Sequence, residues 1–90
     1  MSQIEARLIE IGDPLPEVAK PVAAYVPAVK TGKVVFTAGQ LPLVNGEMAK
    51  TGKVGADVTV EEAKQLAEIC ALNALAAVEL VAPVDSIVQV

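Results

Sequence analysis

Val34-Val35-Phe36-Thr37-Ala38-Gly39-Gln40-Leu41-Pro42-Leu43 is the stretch on which the reading of this ninety-residue chain turns. The β-branched and aromatic run Val34 to Thr37 suits a short buried strand better than a helix. Ala38 and Gly39 follow, and small residues at a strand end let another backbone or a small ligand come close. Gln40 is the one long polar side chain, and Pro42 bars the strand from continuing as a fully paired central one. The stretch therefore reads as a strand that ends at a site or an interface.

Ninety residues make one small domain. The composition is 53% hydrophobic but only 2% aromatic, so the core must be built from Val, Ala, Leu and Ile. A small chain this apolar has more greasy surface than one core can hide, which points to a homo-oligomer. There is no histidine, and Cys70 is the single cysteine, which rules out a His/Cys metal cluster and an intrachain disulfide and suits a reducing cytoplasm. Cys70 itself reads as a small core residue rather than a reactive thiol. A net charge of −4 with scattered lysines gives no basic patch for nucleic acid. The greasiest segment, Ile69 to Val84, is interrupted by Asn73, Glu79 and Pro83, so no membrane span is expected.

Working outward, Ser2 and Glu5 have the spacing of a capping box, and Ile4, Leu8 and Ile11 share one helical face. A docked amphipathic helix is expected from Gln3 to Ile11, ending at Gly12. Asp13 to Pro21 contains Pro14, Pro16 and Pro21 and reads as an extended linker. Ala23 to Val29, with the only tyrosine at Tyr25 and with Pro27, reads as an edge strand. Lys30-Thr31-Gly32-Lys33 is then a turn that sends the Val34 strand back antiparallel. Asn45-Gly46 signals a second hairpin between Leu43-Val44 and Met48. Lys50 to Val54 repeats the pentapeptide Lys30 to Val34; neither copy supplies a Walker phosphate loop, and two similar turns is the better reading.

Thr59 with Glu62 forms another capping box, opening a long helix expected from Val60 to Val81 and stopped by Pro83. An Ala-rich stripe runs from Ala63 through Leu66, Ala67, Cys70, Ala74 and Ala77 to Val81, with a second apolar row at Ile69, Leu72, Ala76 and Leu80. Such a helix is expected to pack on its own sheet and to contact a neighbour. Asp85-Ser86 reads as a turn and Ile87 to Val90 as the start of a strand, which suggests part of a larger α/β domain with open sheet edges.

Tyr25-Val26-Pro27-Ala28-Val29, the Gly39-Gln40-Leu41-Pro42 run, Thr51 to Gly55, and Glu61-Glu62 leading to Ala71-Leu72-Asn73-Ala74-Leu75 together resemble the RidA (YjgF-like) family of reactive-intermediate imine deaminases. The helix ahead of the proline-rich linker is similar to that of a longer-chain subgroup. The resemblance implies an α/β (α+β) fold of the chorismate-mutase (AroH) type, a mixed sheet backed by helices, apparently truncated here after the first long helix. It also implies homotrimers with ligand clefts between subunits and hydrolysis of 2-imino acids to 2-keto acids and ammonia, with no metal or organic cofactor. Other members of the family have been described as translation inhibitors or ribonucleases.

By that resemblance the substrate-binding positions are Tyr25, Ala38, Gly39 and Gln40. Tyr25 matches a cleft tyrosine, with an interface-filling aromatic as the other reading. Gly39 and Gln40 match a motif that serves either a tight strand end or a ligand. Ala38 stands where the family often has serine, which removes a hydroxyl. Asn73 matches a helix position read as structural or solvent-facing. The family's carboxylate-binding arginine and its water-positioning glutamate have no counterpart here, and the only arginine, Arg7, lies in the first helix, so no catalytic residue is assigned. The expected function is thus a RidA-like imine deaminase of imino or keto acid ligands. The alternative is a non-catalytic binding or assembly module that keeps the family's interface.

Overall fold

The computed structural model describes residues 2–20 and 23–90. Helix α1 (Gln3–Glu10) is followed by strands β1 (Ala28–Thr31), β2 (Val34–Thr37), β3 (Leu43–Val44) and β4 (Glu47–Met48), then by helix α2 (Val60–Glu79) and a 3-10 turn at Val84–Ser86. Residues 13–20 form neither helix nor strand, as their prolines dictate; Pro21, the last residue of the expected linker, lies outside the described residues.

Both hairpins form where the turn residues place them. β1 and β2 pair antiparallel, with Val29 opposite Phe36 and Thr31 opposite Val34. Gly32 turns that hairpin at φ +56°, as the first central residue of a two-residue loop with the favoured twist must. β3 and β4 pair antiparallel around Asn45-Gly46, where both residues take positive φ, +53° and +81°. The sheet is thus split into two small ladders, and its parallel component is confined to a single bridge between Val54 and Val58.

Several expectations need correction. The first strand starts at Ala28 rather than Ala23, because Pro27 has no N–H to donate and the chain bends tightly beforehand, with Tyr25 N bonded to Ala23 O at 2.9 Å. Tyr25 is therefore on a bend. β2 is not buried: Phe36 is 63% exposed, and Val29 and Val34 are exposed on the same outward face. Only the opposite face, with Ala28 and Val35, turns inward, since one helix can cover only one side of a two-stranded sheet. Ile87–Val90 pairs with no strand among the described residues, and Val88 is 98% exposed. The repeated pentapeptide takes two different backbones. At its second copy Gly52 has φ +139° and lies so close to Asp57 that a Cβ there would sit 2.5 Å from the Asp57 Cβ.

The core lies between α2 and the two hairpins and is closed at its C-terminal side by Val84. Its buried apolar residues are Ala28, Val58, Ala76, Ala77 and Val84. α2 begins with the expected reciprocal cap: Thr59 Oγ1 accepts from Glu62 N, and Thr59 N donates to Glu62 Oε1, both at 3.1 Å. α1 is held differently. Ser2 Oγ accepts from Glu5 N at 3.1 Å, while Gln3 N and Ile4 N both donate to the Asp85 carboxylate at 2.8 Å, docking the helix on the distant 3-10 turn.

Candidate functional site

The strand end at Ala38 is set by two polar contacts. Ala38 N donates to Pro27 O at 2.9 Å, which extends the β1–β2 pairing by one bond beyond the ladder. Gln40 Nε2 turns back to donate to Ala38 O at 3.1 Å, so this amide braces the strand end. Among the described residues nothing lies within 4 Å of where a Gly39 Cβ would be, so none of them makes the close approach expected at this glycine.

Just beyond, Asn73 of α2 holds the segment in place. Its Nδ2 donates to Leu41 O at 3.0 Å and to Leu43 O at 3.1 Å, replacing the strand that would otherwise satisfy this edge. Two carbonyl partners fix which amide atom is the nitrogen. Asn73 is 1% exposed, so of its two expected roles the structural one holds and the solvent-facing one does not.

Tyr25, Gly39 and Gln40 come together around one recess of about 20 Å³, with Lys20 and Leu41 beside them. That is room for about one water molecule. Ala38 is not in its wall and reaches the recess only through the bond from Gln40. Sequence reasoning missed Lys20, which stands in the proline-rich segment and was treated as part of a spacer. The available signal was that it is the only cation between Arg7 and Lys30.

Lys20 also borders a second, larger cleft of about 690 Å³ between residues 14–20, the β3–β4 hairpin and α2. Its walls are mainly apolar, with Val18, Leu43, Val44, Ile69 and Leu72, and Asn73 reaches it from the helix. The two cavities adjoin along Ala19, Lys20 and Leu43. A cleft of this size falls in the usual range for specific ligands, about 300–1,000 Å³.

Three carboxylates on the surface have displaced acidities. Lys50, in direct contact, and the Thr59 amide bring Glu62 down to about 2. The Ile4 and Gln3 amides lower Asp85. Glu68 is raised, chiefly by the Asp13 carboxyl hydrogen-bonded beside it. None of the three lines either cavity. Among the described residues no group of three or more His, Cys, Asp or Glu side chains is gathered as a metal centre would require. Cys70 is half-buried on α2. No helix among the described residues is long and apolar enough to cross a membrane.

Residues 5–89 match the sequence profile of the family described as "YjgF/chorismate mutase-like, putative endoribonuclease". Protein TCP17 of Trypanosoma cruzi is 37% identical over 71 residues, which cover 79% of this chain and 44% of that protein. Among solved structures, Atu1372 from Agrobacterium tumefaciens, described as of unknown function, superimposes with a TM-score of 0.72 at 44% identity, covering 86% of this chain and 45% of its own. A "putative endoribonuclease" from Shewanella oneidensis gives a TM-score of 0.81 at 35% identity, covering 88% and 52%. The chain thus spans about half the length of each of these relatives.

Proposed function

Because this chain belongs to the YjgF/chorismate-mutase-like family and has its chorismate-mutase-like fold, we propose that it forms one wall of a cleft for small 2-imino or 2-keto acids, completed by further polypeptide. The observation that carries this reading is the convergence of Tyr25, Gly39, Gln40 and Lys20 on one recess. In the completed cleft the Lys20 ammonium pairs with the substrate carboxylate, Tyr25 walls one side, and the open space at Gly39 admits the reacting carbon. Water adds to that carbon as the C=N electrons pass to nitrogen. The resulting carbinolamine then loses ammonia as the carbonyl forms. Among the described residues the recess itself holds no carboxylate or histidine to take the water's proton; the Glu17 carboxylate lines the adjoining cleft and is the group within this chain that can serve as that base.

The test is the decay of 2-iminobutyrate generated in situ, followed with and without the protein. The expected result is acceleration over buffer, reduced roughly tenfold by Lys20→Ala through loss of a charge-assisted contact. Decay at the buffer rate, or full activity in the variant, overturns the proposal.

A second reading, a non-catalytic binding or assembly module, is favoured by the missing hydroxyl at Ala38 and by the outward apolar face of Val29, Val34 and Phe36. RNA cleavage, suggested by the names of relatives, is less well served: the chain carries a net charge of −4 and has no histidine for acid–base work on a phosphodiester.

A further inference from the structure

Residues 14–20 carry both charged side chains of the two cavities, Glu17 and Lys20. No backbone hydrogen bond joins these residues to any other described residue, and Pro14 and Pro16 have no N–H to give. Where this wall stands is therefore imposed from its ends.

The upstream end can be followed bond by bond. α2 is tied to the 3-10 turn where Glu79 Oε2 accepts from Val84 N at 2.7 Å. The turn closes on itself as Ser86 N and Ser86 Oγ donate to Pro83 O at 2.9 and 2.6 Å, and Val84 beside it is fully buried. From that anchored turn the Asp85 carboxylate takes Gln3 N on one oxygen and Ile4 N on the other, both at 2.8 Å. No residue of α1 is buried, so these two charge-assisted bonds set the angle of the helix. Its eight residues carry that angle about 12 Å onward. There Asp13 N donates to Leu8 O at 2.8 Å, and Gly12, at φ +89°, turns the chain out of the helix. Pro14 follows at once, so the direction of α1 becomes the direction of the wall.

We infer that Asp85 is a positioning residue. By docking α1 on the 3-10 turn it sets where the 14–20 wall, with Glu17 and Lys20, stands against the β3–β4 hairpin and α2. The placement of the wall does not depend on the imine reading, although that reading gives Glu17 and Lys20 their roles.

Variants on the two sides of the latch test it. Asp85→Asn removes the charge from the turn. Gln3→Pro removes one donor from the first helical position, where proline is tolerated, and Ser2 before it is already extended at ψ 165°. In nitrogen-15-labelled chain, each is expected to shift the amide resonances of Val18, Ala19 and Lys20, and of Gly39 and Gln40 across the recess. Each is also expected to speed exchange of the α1 amides about tenfold and to leave those of α2 unchanged. Ser2→Ala loosens the same helix end at Glu5 N but keeps both amide bonds to Asp85, and is expected to leave residues 18–20 unmoved. Shifts from Asp85→Asn or Gln3→Pro that stay within residues 2–13 and 83–90 overturn the proposal, as does a Ser2→Ala variant that moves the wall equally. If Asp85→Asn loses its helical circular dichroism, Gln3→Pro decides by the same readout.

Discussion

The inside and the outside of this chain use different residues. Its sequestered apolar positions are alanines and valines, with Asn73 among them, while Phe36, Tyr25, Val29, Val34 and Val44 stand in solvent. In an ordinary small domain the large side chains are the ones withdrawn from water, since each contributes about 1.5–3 kcal/mol when fully buried. Here the interior relies on close approach and closed hydrogen bonds, and large apolar side chains remain exposed. Shape is specified inside the chain by small residues and one amide, while its large apolar side chains stand on the surface.

If that division is real, the largest effect on the fold comes from a polar group. Asn73→Ala strips Leu41 and Leu43 carbonyls of their donor and is expected to lower unfolding free energy by about 3 kcal/mol, measured by urea titration. Ala77→Leu, at a site with no exposure, is expected to cost about 2 kcal/mol by overpacking. Phe36→Ala removes the largest exposed apolar group and is expected to change the stability of the dilute chain by less than about 0.5 kcal/mol. A large loss there would break the comparison.

Electrostatic changes sharpen it at smaller amplitude. Asp85→Asn is expected to speed hydrogen exchange at the Gln3 and Ile4 amides with little change in α2. Because the folded chain lowers Asp85, its contribution is present above the unfolded aspartate value and disappears as pH falls through the folded value. Glu68 has the opposite sign. Its folded value is raised beside Asp13, so ionisation opposes folding above that value and has no effect below the unfolded one. Glu68→Gln is therefore expected to raise the melting temperature slightly at pH 7 and not at pH 3.

Much of the fold could be read locally. Thr59 and Glu62 mark the start of α2, Asn45-Gly46 and Gly32 mark both hairpins, and Gly12 marks the end of α1, because each signal acts within a few residues. What escaped acts at long range. Asp85 caps a helix more than eighty residues away, and nothing periodic links the two positions. Asn73 was placed on the helix correctly, but its partners, the carbonyls of residues 41 and 43, are backbone groups without a sequence signature. The burial expected of Val34 to Thr37 followed from β-propensity, which reports a pleated surface and not which side is covered. Tyr25, Gly39 and Gln40 do share a recess, whereas Ala38 stands behind it and Lys20 was hidden among prolines.

The central claim is that the apolar exterior is a surface meant for other polypeptide. Light-scattering mass of the unmodified chain, from about 1 to 100 µM, tests it most directly. The account predicts a mass that rises with concentration to a multiple of the ninety-residue chain. A single-chain mass across the whole range would contradict it.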